Sequence, residues 1–108
     1  MTSFQPSWQH QVRVDPDHST VLLSGEIDMN GAGQLLDLLD RTIQATRRVD
    51  VDMAAVQFID STGINALITA RRAAAVAGGQ LVVTNPSKNA RRVLGITGVL
   101  EVLSPPGT

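Results

Sequence analysis

The chain has 108 residues, a length that is typical of one domain with a single hydrophobic core. Its hydrophobic content of 43% and charged content of 18% indicate a folded globular protein. A net charge of -1 and a shortage of aromatic residues argue against nucleic-acid binding, and the absence of cysteine excludes disulfides and thiolate sites. No signal peptide or membrane-spanning run is visible, so we expect a cytoplasmic protein that contacts no membrane.

One domain is predicted over residues 1–108, with its core at about 12–103 and loose tails at 1–7 and 104–108. Alternating apolar residues predict strands, and apolar residues three and four apart predict helices. The elements follow in chain order: strands at 8–14 and 20–27, a helix capped by Asp28 or Asn30, a strand at 49–53, a helix at 63–77, a strand at 80–84, a helix that starts within 85–89 and ends near Gly98, and a strand at 99–103.

The predicted order β-β-α-β-α-β-α-β defines an α/β domain. A short turn joins the first two strands into an N-terminal hairpin, which is antiparallel. The later strands alternate with helices, and this pattern favours parallel pairing with the helices packed on the sheet. We therefore expect one mixed, mostly parallel sheet.

The segment "FIDSTGINALITARR" interrupts an apolar run with Asp60, Ser61, Thr62 and Gly63. On a helical wheel, small apolar residues share one side and are expected to face the sheet: Gly63, Ala66, Leu67, Ala70, Ala74 and Ala77. A second, mixed stripe runs along another side: Ser61, Ile64, Asn65, Ile68 and Arg72.

Two interpretations of the mixed stripe remain open. Either the isoleucines belong to the core and Asp60 or Ser61 merely caps the helix, or Ser61 lies in a contact surface among exposed apolar neighbours. Gly63 favours the second slightly, because glycine in a first helical turn is costly unless the backbone approaches a sheet or a partner closely.

The sequence gives only weak support to a catalytic or metal-binding role for this segment. A serine nucleophile needs a nearby base, but His10 and His18 are the only histidines and both lie near the hairpin. Asp28 and Asp60 both follow strands and, with a hydroxyl, could hold magnesium, yet no glycine-rich phosphate-binding loop is present. The arginine pairs 71–72 and 91–92 are best interpreted as solvated helix faces.

Three stretches together resemble the STAS domain of anti-sigma factor antagonists, from about Val12 to Leu103. They are "LSGEID", "VDVDMAAVQFIDSTGINALITARR" and "LVVTNPSKNARRVLGITGVLEVL". The resemblance implies a non-enzymatic antagonist that binds an anti-sigma factor with serine kinase activity and so releases a sigma factor for transcription. Phosphorylation by that kinase abolishes binding, and a serine phosphatase restores it.

When the family's residues are matched to this sequence by position, the resemblance implies that Ser61 is the phosphorylated residue and that Asp28 lies beside it. The remaining residues expected to bind the partner are Asp60, Thr62, Ile64, Asn65, Ile68 and Arg72. No cofactor or metal is implied for this chain, because ATP and magnesium belong to the kinase.

Three alternatives remain at this point. The chain could be a STAS adaptor of a lipid-transport or stress-signalling complex, in which Ser61 is never modified. It could be a nucleotide-binding domain with weak hydrolysis, or a domain from a sulfate-type transporter. The intact Asp60-Ser61 pair favours the antagonist over the adaptor, and an initial methionine without a membrane segment favours a free-standing protein over the transporter.

Overall fold

A computed structural model describes residues 7–105, so most of the tails predicted at 1–7 and 104–108 lies outside the described residues. A four-stranded sheet has the order β1-β2-β3-β4, with the first pair antiparallel and the others parallel. The mixed sheet and its N-terminal hairpin are thus confirmed. The elements are β1 (Trp8–Val14), β2 (Ser19–Ile27), α1 (Ala32–Ala45), β3 (Arg48–Ile59), α2 (Ser61–Val76), β4 (Gln80–Thr84), α3 (Lys88–Ile96) and α4 (Leu100–Leu103).

The core lies on the helix-covered face of the sheet. Alternate strand residues point toward it, as Val21 of β2, Val51 of β3 and Val83 of β4 do from neighbouring register positions. Helix α2 presents its small apolar side to this core, and Ala66, Leu67, Ala70 and Ala74 are all buried. The predicted sheet-facing side of this helix is therefore confirmed, except at Ala77, which is exposed.

Strand β3 is much longer than the predicted strand at 49–53. The register of β2 against β3 shifts twice, between Leu22 and Ser24 and between Gly25 and Glu26. These irregularities let β3 absorb extra residues while its backbone stays paired with β2. They also break the alternation of apolar residues, which is why the sequence pattern alone did not extend the strand to Ile59.

The predicted final strand at 99–103 is wrong, since the segment forms the short helix α4. Helix α3 is followed by a glycine in the left-handed conformation, Gly98, at φ 76°. The Gly98 N–H donates to the carbonyl of Gly95 and the Val99 N–H to that of Leu94, which returns the chain onto the helix it has just left. The residues that follow form one helical turn that buries Leu103, instead of pairing with β4.

Candidate functional site

Strands β2 and β3 end side by side, and an aspartate follows each. Ile27 and Ile59 are register partners, and the N–H of Asp60 donates to the carbonyl of Ile27 at 3.1 Å. The segments that begin at Asp28 and Asp60 therefore lie next to each other at the carboxyl ends of these two parallel strands. Open α/β sheets bind ligands at the carboxyl ends of their strands.

Asp60 is the N-cap of α2. Its backbone is extended, and its Oδ1 accepts hydrogen bonds from the N–H of Thr62 at 2.9 Å and from the N–H of Gly63 at 3.1 Å. The hydroxyl of Thr62 donates to the same oxygen at 2.5 Å. One carboxylate oxygen thus satisfies two of the N–H groups that a helix start leaves without intrahelical partners.

These hydrogen bonds lower the pKa of Asp60 below its ordinary value of 3.8. The largest cause is the Thr62 hydroxyl; desolvation opposes it, and backbone hydrogen bonds from Gly63, Thr62 and Met29 add to the lowering. Donors that point at a carboxylate stabilise its charged form. Asp60 is therefore an anion at neutral pH, immediately before Ser61.

Ser61 and Thr62 differ in what their hydroxyls do. Both residues are exposed, but the Thr62 hydroxyl is engaged with Asp60, whereas the Ser61 hydroxyl has no hydrogen-bond partner among residues 7–105. Ser61 is also the first residue of α2. Of the two hydroxyls, only that of Ser61 is available without breaking the helix cap.

An open groove of about 460 Å³ lies between the starts of α1 and α2. Ser61, Thr62 and Asn65 line one wall, and Ala32, Gly33 and Leu36 of α1 line the other. The α1 wall is made of small and apolar side chains, and the α2 wall carries hydroxyl and amide groups. Such a surface can receive an apolar side chain of a partner beside a hydrogen-bonding group.

The mixed stripe divides between the surface and the core. Asn65 and Arg72 are exposed together with Ser61, and Ile68 is half-buried against the core. Ile64 is only 5% exposed, so the expectation of an accessible apolar side chain at this position is wrong. The step of three residues from Ser61 turns Ile64 far enough around the helix to reach the core.

Two exposed apolar residues near the site were not singled out from the sequence. Met29, 72% exposed, directly follows Asp28, and Phe58, 46% exposed, lies two residues before Asp60 at the end of β3. The helical wheel could not find either of them, because neither belongs to a helix. Neither residue lines the groove, and Phe58 alternates with the buried Ile59, so its side chain lies on the opposite face of the sheet. Large apolar side chains that remain exposed are typical of contact surfaces.

This geometry gives little support to a catalytic serine or to a metal site. His18 precedes the start of β2, at the opposite end of the sheet from Ser61, and pairs with Asp15 and Asp17 instead. Within the described part of the chain, no group of three or more histidine, aspartate or glutamate residues is arranged to hold a metal ion. The same part of the chain contains no helix long and apolar enough to cross a membrane.

Comparisons with known proteins agree with this architecture. The structure of the anti-sigma factor antagonist SpoIIAA in its unphosphorylated form matches with a TM-score of 0.76 at 22% identity, covering 93% of this chain and 89% of that one. SpoIIAA of Bacillus in the phosphorylated form matches with a TM-score of 0.70 at 22% identity, covering 93% and 92%. An anti-sigma factor antagonist from Mycobacterium paratuberculosis matches with a TM-score of 0.69 at 22% identity, covering 94% and 87%.

At 22% identity these structural likenesses establish the fold, and the family follows from the sequence. The family model described as "Mlab, STAS domain" matches residues 10–104, which is nearly the whole chain. The resemblance inferred from the "DSTG" segment and its surroundings is confirmed at this level. The chain belongs to the STAS domain family.

Proposed function

We propose that this chain is an anti-sigma factor antagonist that works by partner switching. In its unphosphorylated form it binds an anti-sigma factor that is also a serine kinase, and a sigma factor is released for transcription. Phosphorylation of Ser61 abolishes this binding, and a serine phosphatase restores it. The observation that carries the proposal is the exposed Ser61 hydroxyl, which lies on the wall of the groove between α1 and α2 and has no hydrogen-bond partner in the described part of the chain.

The position of Ser61 lets the fold tolerate a phosphate. The first turn of a helix carries a partial positive charge and N–H groups without intrahelical partners, and both favour an anion. The Asp60 cap uses its own carboxylate and the Thr62 hydroxyl, so modification of Ser61 removes none of its hydrogen bonds. The domain is therefore expected to stay folded in both states.

The same phosphate is unfavourable at an interface. It adds about -1.5 to -2 charges at pH 7 beside the ionised carboxylate of Asp60. Two neighbouring anions would have to lose their water when a partner covers the groove, and this desolvation is costly without a matching cation. Phosphorylation therefore acts on docking and not on folding.

The contact surface of this proposal extends over the groove and its surroundings. Met29 supplies an exposed apolar side chain, while Asn65 and Arg72 supply polar groups along α2. Asp28 and Asp60 provide negative charge at the centre. ATP and magnesium would be held by the kinase, and this chain contributes only the accepting hydroxyl.

Phosphorylation with candidate anti-sigma kinases tests the proposal. The protein is incubated with each kinase, ATP and magnesium, and any added phosphate is located by mass spectrometry. We expect one phosphate on Ser61, none on Ser61→Ala, and unchanged transfer in Thr62→Val, which lacks the neighbouring hydroxyl. Phosphate on Thr62, or equal kinase binding before and after phosphorylation of Ser61, would contradict the proposal.

A STAS adaptor is the second candidate. It is favoured by the exposed Met29 and Phe58, since these side chains would be available to a partner whatever the state of Ser61. An adaptor would bind its partner equally well as wild type and as Ser61→Glu. Partner binding that is lost in Met29→Ser but retained in Ser61→Glu would identify this role.

A further inference from the structure

Strand β1 is one edge of the sheet, and no strand among residues 7–105 pairs with its outer side. It pairs with β2 over seven residues in one continuous register, and six of these seven residues are exposed. Edge strands are usually protected by proline, by charged side chains or by a bulge; residues 8–14 contain no proline, lysine or bulge, and Arg13 is their one charged residue. The other edge strand, β4, has only five residues, and Val102 and Ser104 lie beside it.

The hydrogen bonds that flank the hairpin show which backbone groups of β1 are unpaired. The N–H of Glu26 donates to Ser7, and the N–H of Asp15 donates to His18, each at 2.8 Å. In an antiparallel ladder the hydrogen-bonded residues alternate, so the odd-numbered residues of β1 bond to β2. The N–H and C=O groups of the even-numbered residues therefore point to the open edge: Trp8, His10, Val12 and Val14.

We propose that β1 pairs antiparallel with β1 of a second copy, joining two sheets across a two-fold axis at Gln11. In this register Trp8 faces Val14 of the second copy and His10 faces Val12, so every unpaired backbone group of the strand obtains a partner. The hydrogen-bonding pattern matches as well, because the even-numbered residues, whose backbone groups are unpaired, face even-numbered residues of the second copy. A two-fold interface requires this kind of self-complementarity.

Burial and charge favour a second copy as the occupant. Val12 and Val14 are 42% and 68% exposed, and pairing would cover part of both: Val12 would lie opposite the exposed ring of His10, and Val14 opposite Trp8, whose indole is buried in the core of the second copy. Arg13 is the one charged residue of the strand, and it would face the neutral Gln9. Antiparallel pairing also places the two acidic hairpin turns, each with Asp15 and Asp17, at opposite ends of the interface.

A single strand pair is a small interface, near or below the roughly 1,200 Å² of stable complexes. We therefore expect an equilibrium with a dissociation constant of about 10–100 µM. Sedimentation velocity from about 5 µM to about 1 mM should show a monomer at the lower end and a dimer at the upper end. A monomer throughout this range overturns the proposal.

Disulfide trapping tests the register. The native chain has no cysteine, so each introduced cysteine is unique. Gln11→Cys lies on the proposed axis, where residues facing each other without hydrogen bonds have Cα atoms about 4.5 Å apart, within reach of a disulfide. Gln9→Cys is the matched control, and we expect it to cross-link with Arg13→Cys but not with itself. Equal self-linking of Gln9→Cys and Gln11→Cys contradicts the register.

Val12→Pro tests whether the open edge carries the contact. The N–H of Val12 points away from β2, so proline removes an outward donor without removing a bond of the hairpin. We expect a monomer up to about 1 mM with an unchanged circular dichroism spectrum. A folded Val12→Pro protein that still dimerises overturns the proposal. Should proline unfold the hairpin, Val12→Lys places a charge at the same edge and is expected to shift the dimer midpoint at least tenfold.

Discussion

The two segments that follow β2 and β3 begin alike and fold differently. Residues 27–31 read Ile-Asp-Met-Asn-Gly, and residues 59–63 read Ile-Asp-Ser-Thr-Gly. Asp60 caps α2 directly, whereas Asp28 accepts one hydrogen bond from the N–H of Asn30 and forms a turn. Helix α1 starts only at Ala32, with Gly31 as an N-cap that offers no side-chain bond, so both caps predicted for this helix are wrong.

The glycine at the end of each segment explains much of the difference. A Cβ at Gly63 would lie 2.8 Å from Cγ1 of Ile59 and 3.0 Å from Cγ2 of Ile27, so α2 lies directly on the ends of the two strands. A Cβ at Gly31 would instead meet the indole nitrogen of Trp8. One glycine brings a helix against the sheet, and the other makes room for a side chain from β1.

The comparison teaches that a capped helix start and an uncapped turn suit different roles. At Asp60 the carboxylate, the Thr62 hydroxyl and the close packing of Gly63 fix the position of Ser61. At Asp28 the looser turn leaves Met29 largely exposed. Under the proposed function, the rigid segment would present the hydroxyl to the kinase, and the turn would present an apolar side chain to the partner.

The largest expected effect comes from filling the space at the two glycines. Gly63→Ala should lower the free energy of unfolding by about 1–2 kcal/mol, because overpacking against Ile59 outweighs the better helix propensity of alanine. Gly31→Ala should lower the free energy of unfolding by a similar amount, because the added Cβ would meet the indole ring of Trp8. Urea denaturation measures both. Gly33→Ala is the control, since nothing lies within 4 Å of its Cβ position, and it should be neutral or stabilising by up to about 1 kcal/mol.

Removing the two aspartates tests the difference in capping. Asp60→Ala should lower the free energy of unfolding by about 1 kcal/mol, the usual effect of losing an N-cap, and Asp28→Ala by less than about half of that. Asp60→Asn retains a capping oxygen but lacks the charge, so near neutral pH its loss of stability should be smaller than that of Asp60→Ala. Equal losses for the two alanine variants would contradict the distinction between a cap and a turn.

The pH dependence of stability should change at the same residue. Because folding lowers the pKa of Asp60, its charge contributes stability that is fully present above the ordinary value of 3.8 and is lost as the pH falls through the lowered pKa. Urea denaturation at several pH values below about 5 should therefore show a steeper loss for the wild type than for Asp60→Asn. Parallel curves for the two proteins would refute this role of the charge.

The smallest effect on stability is expected at Ser61. Ser61→Glu places a negative charge at the start of α2, where the helix favours it and Asp60 repels it, so the free energy of unfolding should change by less than about 0.5 kcal/mol. Circular dichroism and urea denaturation measure this. Lost helix in Ser61→Glu or in the phosphorylated protein would mean that the switch acts by unfolding.

Much of the fold could be predicted because local rules and tertiary packing agree. β1 and β4 have the predicted bounds, and β2 and α2 begin one and two residues earlier than predicted. The extension of β3 was missed, since bulges disrupt the periodicity of two on which strand prediction depends. Helix α4 was missed because a short, mostly apolar segment after a glycine also suits a strand, whereas the turn at Gly98 directs it into one helical turn.

The sequence by itself determined the family, the order of most elements and the position of Ser61 at the start of a helix, because each is written in short-range patterns. Only the tertiary structure decided which neighbours of Ser61 are accessible. Burial depends on what packs against a side chain, so Ile64 joined the core while Met29 and Phe58 stayed exposed. The groove between α1 and α2 has the same origin, since residues far apart in the chain form its two walls.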